Sequence, residues 1–102
     1  MNNILFFGTY QHKVDSKGRV SIPAEWRKRV GNAFYYCNEK FFINQIDLID
    51  YFNDIDLKDI VPNIKKYNLD TEGRTVFKQE KGKTAILKGC GDYFTIEFRL
   101  DN

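Results

Sequence analysis

Short apolar runs, separated by turns containing Gly, Asp and Asn, set the pattern of this chain; long helical stripes are few. Residues 9–14 and 19–22 flank Asp15-Ser16-Lys17-Gly18, and residues 34–37 and 41–44 flank Asn38-Glu39-Lys40. Leu69, Asp70 and residues 74–77 surround Thr71-Glu72-Gly73, and residues 84–87 and 93–98 flank Lys88-Gly89-Cys90-Gly91-Asp92. Runs rich in aromatic and β-branched residues, such as Phe34-Tyr35-Tyr36 and Tyr93-Phe94-Thr95-Ile96, predict strands. Glycine in the turns supplies the positive φ that tight hairpins need. Alternation leaves each strand one apolar and one polar face, which suits a barrel closed on itself or on a partner.

Two segments read as helical. Residues 23–30 open on Pro23 and close at Gly31, the expected punctuation of a helix start and stop. Residues 47–66 carry Leu48, Ile49, Phe52, Ile55, Leu57, Ile60, Val61 and Ile64 at three- and four-residue steps. Pro62 and the surrounding aspartates predict a split into two short helices.

Laying the turns over one another reveals a repeat. Val14-Asp15-Ser16-Lys17-Gly18-Arg19 matches Leu69-Asp70-Thr71-Glu72-Gly73-Arg74, 55 residues further on. The chain therefore divides into a first repeat (1–46), a helical connection (47–66) and a degenerate second repeat (67–102), folded as one domain over 1–102. Between Arg74 and Thr84 nothing in the pattern resembles the Pro23–Gly31 helix. The fold expected is mainly β (α+β), two pseudo-symmetric β-hairpin units interleaved into a compact barrel with short helices.

Charge is segregated. The net charge is +2, yet residues 1–31 hold six basic side chains against two acidic, and residues 32–62 hold two basic against six acidic. Positive charge in the first third points to a polyanionic partner. The apolar run Ile4–Phe7 is too short for a signal-peptide core or a membrane span, so a cytoplasmic location is expected. Cys37 and Cys90 stand apart, with no C-x-x-C and no histidine near either, and read as small core residues.

The stretch Phe6-x-Gly8-x-Tyr10-x-His12-x-x-Asp15-x-Lys17-Gly18-Arg19-x-x-Ile22-Pro23-x-x-x-Arg27 resembles the opening signature of the MraZ family, within the AbrB-like group of swapped-hairpin regulators. Asp70-Thr71-Glu72-Gly73-Arg74 resembles that family's tandem repeat, and Gly89 to Ile96 its closing strand-turn-strand. The second repeat departs from the pattern: Phe77-Lys78-Gln79-Glu80 replaces Ile-Pro, Glu72 stands where the first copy has Lys17, and the chain is short. The resemblance implies a bacterial, nucleoid-associated transcriptional regulator that binds duplex DNA as a homo-oligomer, a dimer or larger ring. Carried over by position, the DNA-binding candidates are Lys13, Lys17 and Arg19, then Arg27, Lys28 and Arg29. Asp15, Gly18, Asp70, Gly73 and Arg74 are the structural turn residues.

The residues agree with that implication on their own terms. A basic turn beside a basic helix neutralises phosphates, and arginine reads guanine edges. In an Asp-x-x-Gly-Arg turn, however, Arg19 has an equally natural role as the partner of Asp15. No enzyme is expected. His12 is the single histidine; Asp47, Asp50, Asp54, Asp56 and Asp59 lack the glycine and terminal glutamate of a calcium loop; and Gly89-x-Gly91 is too short to cradle phosphate. Asp15-Ser16-Lys17 suggests the end of a nuclease site, but no carboxylate precedes Asp15 to complete a magnesium site. No metal, cofactor, membrane or small-molecule substrate is called for. A different class stays open: a homo-oligomeric protein-interaction module, antitoxin-like or phage-borne, that does not bind DNA.

Overall fold

The computed structural model describes residues 5–100, so Ile4 of the N-terminal apolar run and the last two residues of the second repeat lie outside it. Its strands are β1 (Thr9–Lys13), β2 (Arg19–Ser21), β3 (Ala33–Cys37), β4 (Lys40–Phe42), β5 (Lys65–Asn68), β6 (Arg74–Val76), β7 (Thr84–Gly89) and β8 (Phe94–Arg99). Helices are short: α1 (Ala24–Arg27), α2 (Gln45–Tyr51) and α3 (Leu57–Ile60), with 3-10 turns at Val61–Asn63 and Lys78–Glu80. The fold is mainly β, as the pattern predicts.

Two antiparallel sheets carry it. One has six strands in the order β1-β7-β8-β4-β3-β5, and the other pairs β2 with β6. Neither closes on itself. The two repeats trade strands: β1 of the first lies on β7 of the second, and β2 lies on β6. Strands on either side of each Asp-x-x-Gly-Arg turn do not pair with each other, which corrects the hairpin expected there. Each turn instead hands the chain from one sheet to the other.

The β2–β6 ribbon is where the repeat becomes a symmetry. Val20 faces Thr75, its own counterpart 55 residues on. Ile22 N–H donates to the Gly73 carbonyl at 2.9 Å, and its counterpart Phe77 N–H donates to the Gly18 carbonyl at 2.6 Å. A pseudo-twofold axis passes between Val20 and Thr75, so the two turns sit at opposite ends of the ribbon.

Four local readings are corrected. The first helix ends at Arg27 and not at Val30, its last residues forming a turn bonded through Arg29 N–H to Trp26 O. Asn44, placed in a strand by the pattern, is the N-cap of α2: its Oδ1 accepts from Asp47 N–H at 2.7 Å. Lys65 and Lys66, assigned to the helical connection, pair as β5 with Tyr36 and Tyr35 of β3. The second repeat does keep a relic of α1, the 3-10 turn at Lys78–Glu80, where Lys78 occupies the position of Pro23.

Aromatic rings fill the core between the sheets. Trp26, carried inward by α1, lies edge-on to Phe6 at 5.4 Å and beside Phe94 at 4.9 Å, and Phe34 meets Phe94 at 4.7 Å. The Trp26 Nε1–H donates to the Phe7 carbonyl at 3.1 Å. A smaller cluster of Cys37, Phe42, Leu48 and Ile60 sits beneath α2 and α3. Cys37 is thus a core residue as expected, whereas Cys90, at the turn from β7 to β8, is exposed.

Candidate nucleic-acid interface

Both Asp-x-x-Gly-Arg turns have the same hydrogen-bonded design. Asp15 Oδ1 accepts from Lys17 N–H at 2.9 Å and Arg19 N–H at 2.8 Å, and Oδ2 accepts from Arg19 Nε at 2.6 Å. Asp70 repeats this with Glu72 N–H, Arg74 N–H and Arg74 Nε at 2.9, 2.9 and 3.0 Å. Gly18 and Gly73 close the turns at φ of 78° and 76°, a region L side chains rarely adopt. Both oxygens of Asp15 are therefore committed to the turn and not to a metal. Among the described residues no group of three or more His, Cys, Asp or Glu could hold a metal ion. His12 is exposed, its Nδ1 3.0 Å from the Lys13 carbonyl oxygen.

The backbone amide and guanidinium of Arg19 hold the Asp15 carboxyl at about 2, down from an ordinary 3.8, and Asp70 is lowered for the same reasons by Arg74. A depressed carboxylate stabilises the fold above its unfolded pKa and loses that contribution as pH falls through the folded value. Stability should accordingly decline from 3.8 down to about 2. Urea midpoints measured across this range should fall less steeply for Asp15→Asn than for the parent chain.

The two turns differ in charge. At the second, Arg74 Nη2 is also held by Glu72 at 3.0 Å. At the first the equivalent position is Lys17, which adds a positive charge where the other copy neutralises one. What flanks each turn widens the difference. The interleaving sets α1 against the second turn: Arg27 Nη1 donates to the Glu72 carbonyl at 2.7 Å, and the side chain lies across Gly73. Lys28 pairs with Glu25 at 3.2 Å, and Arg29 is exposed beyond it. The basic turn and the basic helix expected to form one surface are at opposite ends of the ribbon.

Another set of lysines stands beside the first turn. A Cβ on Gly18 would come within 2.9 Å of Lys78 Cα. Val14 N–H donates to the Lys83 carbonyl, Gly82 N–H donates to the Val14 carbonyl, and Lys13 pairs with Thr84. The loop from Lys78 to Lys83 therefore folds over the first turn and joins Lys78, Lys81 and Lys83 to Lys13, Lys17 and Arg19. Among the described residues six basic side chains meet two acidic ones there, and both acids are engaged: Asp15 by Arg19, and Glu80 by Lys83 at 2.9 Å. At the other end, Arg27, Lys28, Arg29 and Arg74 face Glu25, Asp70 and Glu72. Reading residues alone missed the three lysines; the signal was the repeat itself, since Ile22 precedes the helix that clasps one turn and Phe77 must precede whatever clasps the other.

Two Asp-x-x-Gly-Arg units that exchange strands across a pseudo-twofold axis define a mainly β, swapped-hairpin class of the AbrB-like kind. Residues 5–41 match the family model MraZ, described as "MraZ protein, putative antitoxin-like". A protein of Alkaliphilus oremlandii named transcriptional regulator MraZ is 57% identical over 30 residues, 29% of this chain and 21% of that relative. Its namesake in Rhodospirillum rubrum is 29% identical over 120 aligned residues, 89% of this chain and 77% of that protein. The namesake in Mesoplasma florum is 42% identical over 38 residues, 37% of this chain and 26% of that protein. The chain is related to the MraZ family. The short matches span about a fifth to a quarter of the relatives' length, and the match of lower identity extends over most of both chains.

Proposed function

We propose that this chain is a DNA-binding transcriptional regulator that meets duplex DNA with the end built from the first turn and the Lys78–Lys83 loop. One observation carries the reading. Strand exchange brings lysines of the second repeat onto the basic turn of the first, so that basic side chains outnumber acidic ones there among the described residues. Such a surface neutralises phosphates and releases their counterions. The kinship with proteins named transcriptional regulators agrees with it. In this reading Lys13, Lys17 and Arg19 contact DNA, and Lys78, Lys81 and Lys83 join them. Arg27 acts as a clasp on the second turn, and Lys28 and Arg29 contribute little. The chain works in the cytoplasm on the nucleoid and has no catalytic role.

Binding of a duplex across a salt series tests this. Each phosphate contact adds about 0.9 to the slope of log affinity against log salt, so three to six contacts per protomer give a slope of roughly 3 to 5. Flat salt dependence favours the alternative, a protein-interaction module. That reading has one observation of its own, the exposed apolar side chains Ile46, Tyr51, Ile55, Leu57 and Val61 along α2, α3 and the segment after them. The same side chains suit self-association. Light scattering should show at least a dimer at micromolar concentration, and Ile46→Asp with Leu57→Asp should shift it toward monomer; a monomeric parent chain removes avidity from the mechanism.

A further inference from the structure

The fold leaves a cleft of about 470 Å³ lined from β3, β4, β5 and β8 and the Lys78–Glu80 turn. Its origin is a mismatch of strand lengths. β8 runs six residues to Arg99, but β4 has three and registers with β8 at the single pair Phe41–Phe94. Past that pair the sheet opens like a fork, and the 3-10 turn at Lys78–Glu80 borders the gap. The size is that of a small-molecule site.

The lining has a distinct chemistry. Tyr36, Tyr67, Phe77 and Phe98 form a continuous aromatic wall: Tyr36 and Tyr67 meet at 6.0 Å and 81°, Tyr67 and Phe77 stack at 5.0 Å, and Phe77 and Phe98 lie 5.1 Å apart. All four are partly buried core residues that keep some surface open. Glu39, Glu80 and Glu97 stand among them; Lys83 holds Glu80 and Arg99 holds Glu97, each at 2.9 Å, which leaves Glu39 as the carboxylate with no ion-pair partner among the described residues. What sets the cleft apart is a wall of four aromatic rings beside one unpaired carboxylate, with no lysine or arginine in the lining itself. Aromatic faces attract positive charge through their quadrupoles, and carboxylates attract it directly.

We infer that this cleft binds a small organic cation, an ammonium or methylated ammonium group on a short alkyl stem, with the aromatic wall taking the stem and Glu39 the charge. The site adjoins the basic end, because Phe77 is both part of the wall and the donor to the Gly18 carbonyl. Binding itself does not depend on the DNA reading.

Choline and its neutral isostere 3,3-dimethylbutan-1-ol are the probes, followed by NMR of the Tyr67 and Phe77 rings in the full chain. Choline should shift these rings saturably, with the isostere about tenfold weaker, the size of a partly desolvated cation–π contribution. Glu39→Gln should weaken choline several-fold and Glu97→Gln, whose carboxylate Arg99 already holds, should weaken it less, with circular dichroism unchanged in both. Equal binding of choline and isostere, no saturable shift at tens of millimolar choline, or unchanged affinity in Glu39→Gln would each overturn the assignment.

Discussion

Lys17→Glu should reduce affinity for duplex DNA by about a hundredfold or more at moderate salt while leaving the fold intact. Lys17 is exposed in the first turn, and only its backbone amide takes part in the hydrogen bonds to Asp15. Reversal removes one phosphate contact and places a carboxylate at the centre of the basic end, recreating the charge arrangement that Glu72 gives the second turn. If protomers act together, the loss multiplies across copies. Arg19→Ala should also weaken binding, but it breaks the Asp15–Arg19 pair and lowers stability as well, so affinity and circular dichroism must be read together. Arg74→Ala should cost stability with little effect on DNA. Equal damage to binding from Arg74→Ala and Arg19→Ala, both folded, means that both turns face the DNA.

Trp26→Ala should destabilise the protein by about 3–5 kcal/mol, a large part of the roughly 5–15 kcal/mol that holds a domain of this size together. The indole is fully buried among Phe6, Tyr10 and Phe94, and its N–H satisfies the Phe7 carbonyl. Truncation leaves a void ringed by aromatic groups that cannot collapse, because β1, β7 and β8 fix their backbones. It also removes the donor to a main-chain oxygen. Urea denaturation should show the loss as a shift in midpoint; a change under about 1 kcal/mol would show that Trp26 is not the keystone of the core.

Much of this was legible in the sequence, and the failures share one cause. Strand positions, the two turns and their Asp–Arg chemistry follow from local rules, which is why Asp15, Gly18, Asp70, Gly73 and Arg74 fall where expected. Pairing is not local. Nothing in residues 9–22 says that they prefer partners 53 to 79 positions away to each other. Once the strands are exchanged, Arg27 lands on the second turn although it is only eight positions from Arg19, and Lys78 lands on the first. Asn44 was misread because an N-cap is extended and its neighbours Phe41 and Phe42 are strand residues; the helix after it starts only where its side chain can accept from Asp47. The cleft was invisible for the same reason as the basic end, since it arises from β8 outrunning β4 across the sheet.

The central claim is that DNA meets the composite end and not the end that carries α1. Salt slopes of duplex binding for two double variants decide it: Lys78→Ala with Lys81→Ala, and Lys28→Ala with Arg29→Ala. All four residues are exposed, and neither pair touches the Asp15 turn's hydrogen bonds. The account predicts a slope lower by about two units for the first pair and an unchanged slope for the second. A drop confined to the Lys28–Arg29 pair would place the DNA at the other end of the ribbon and contradict it.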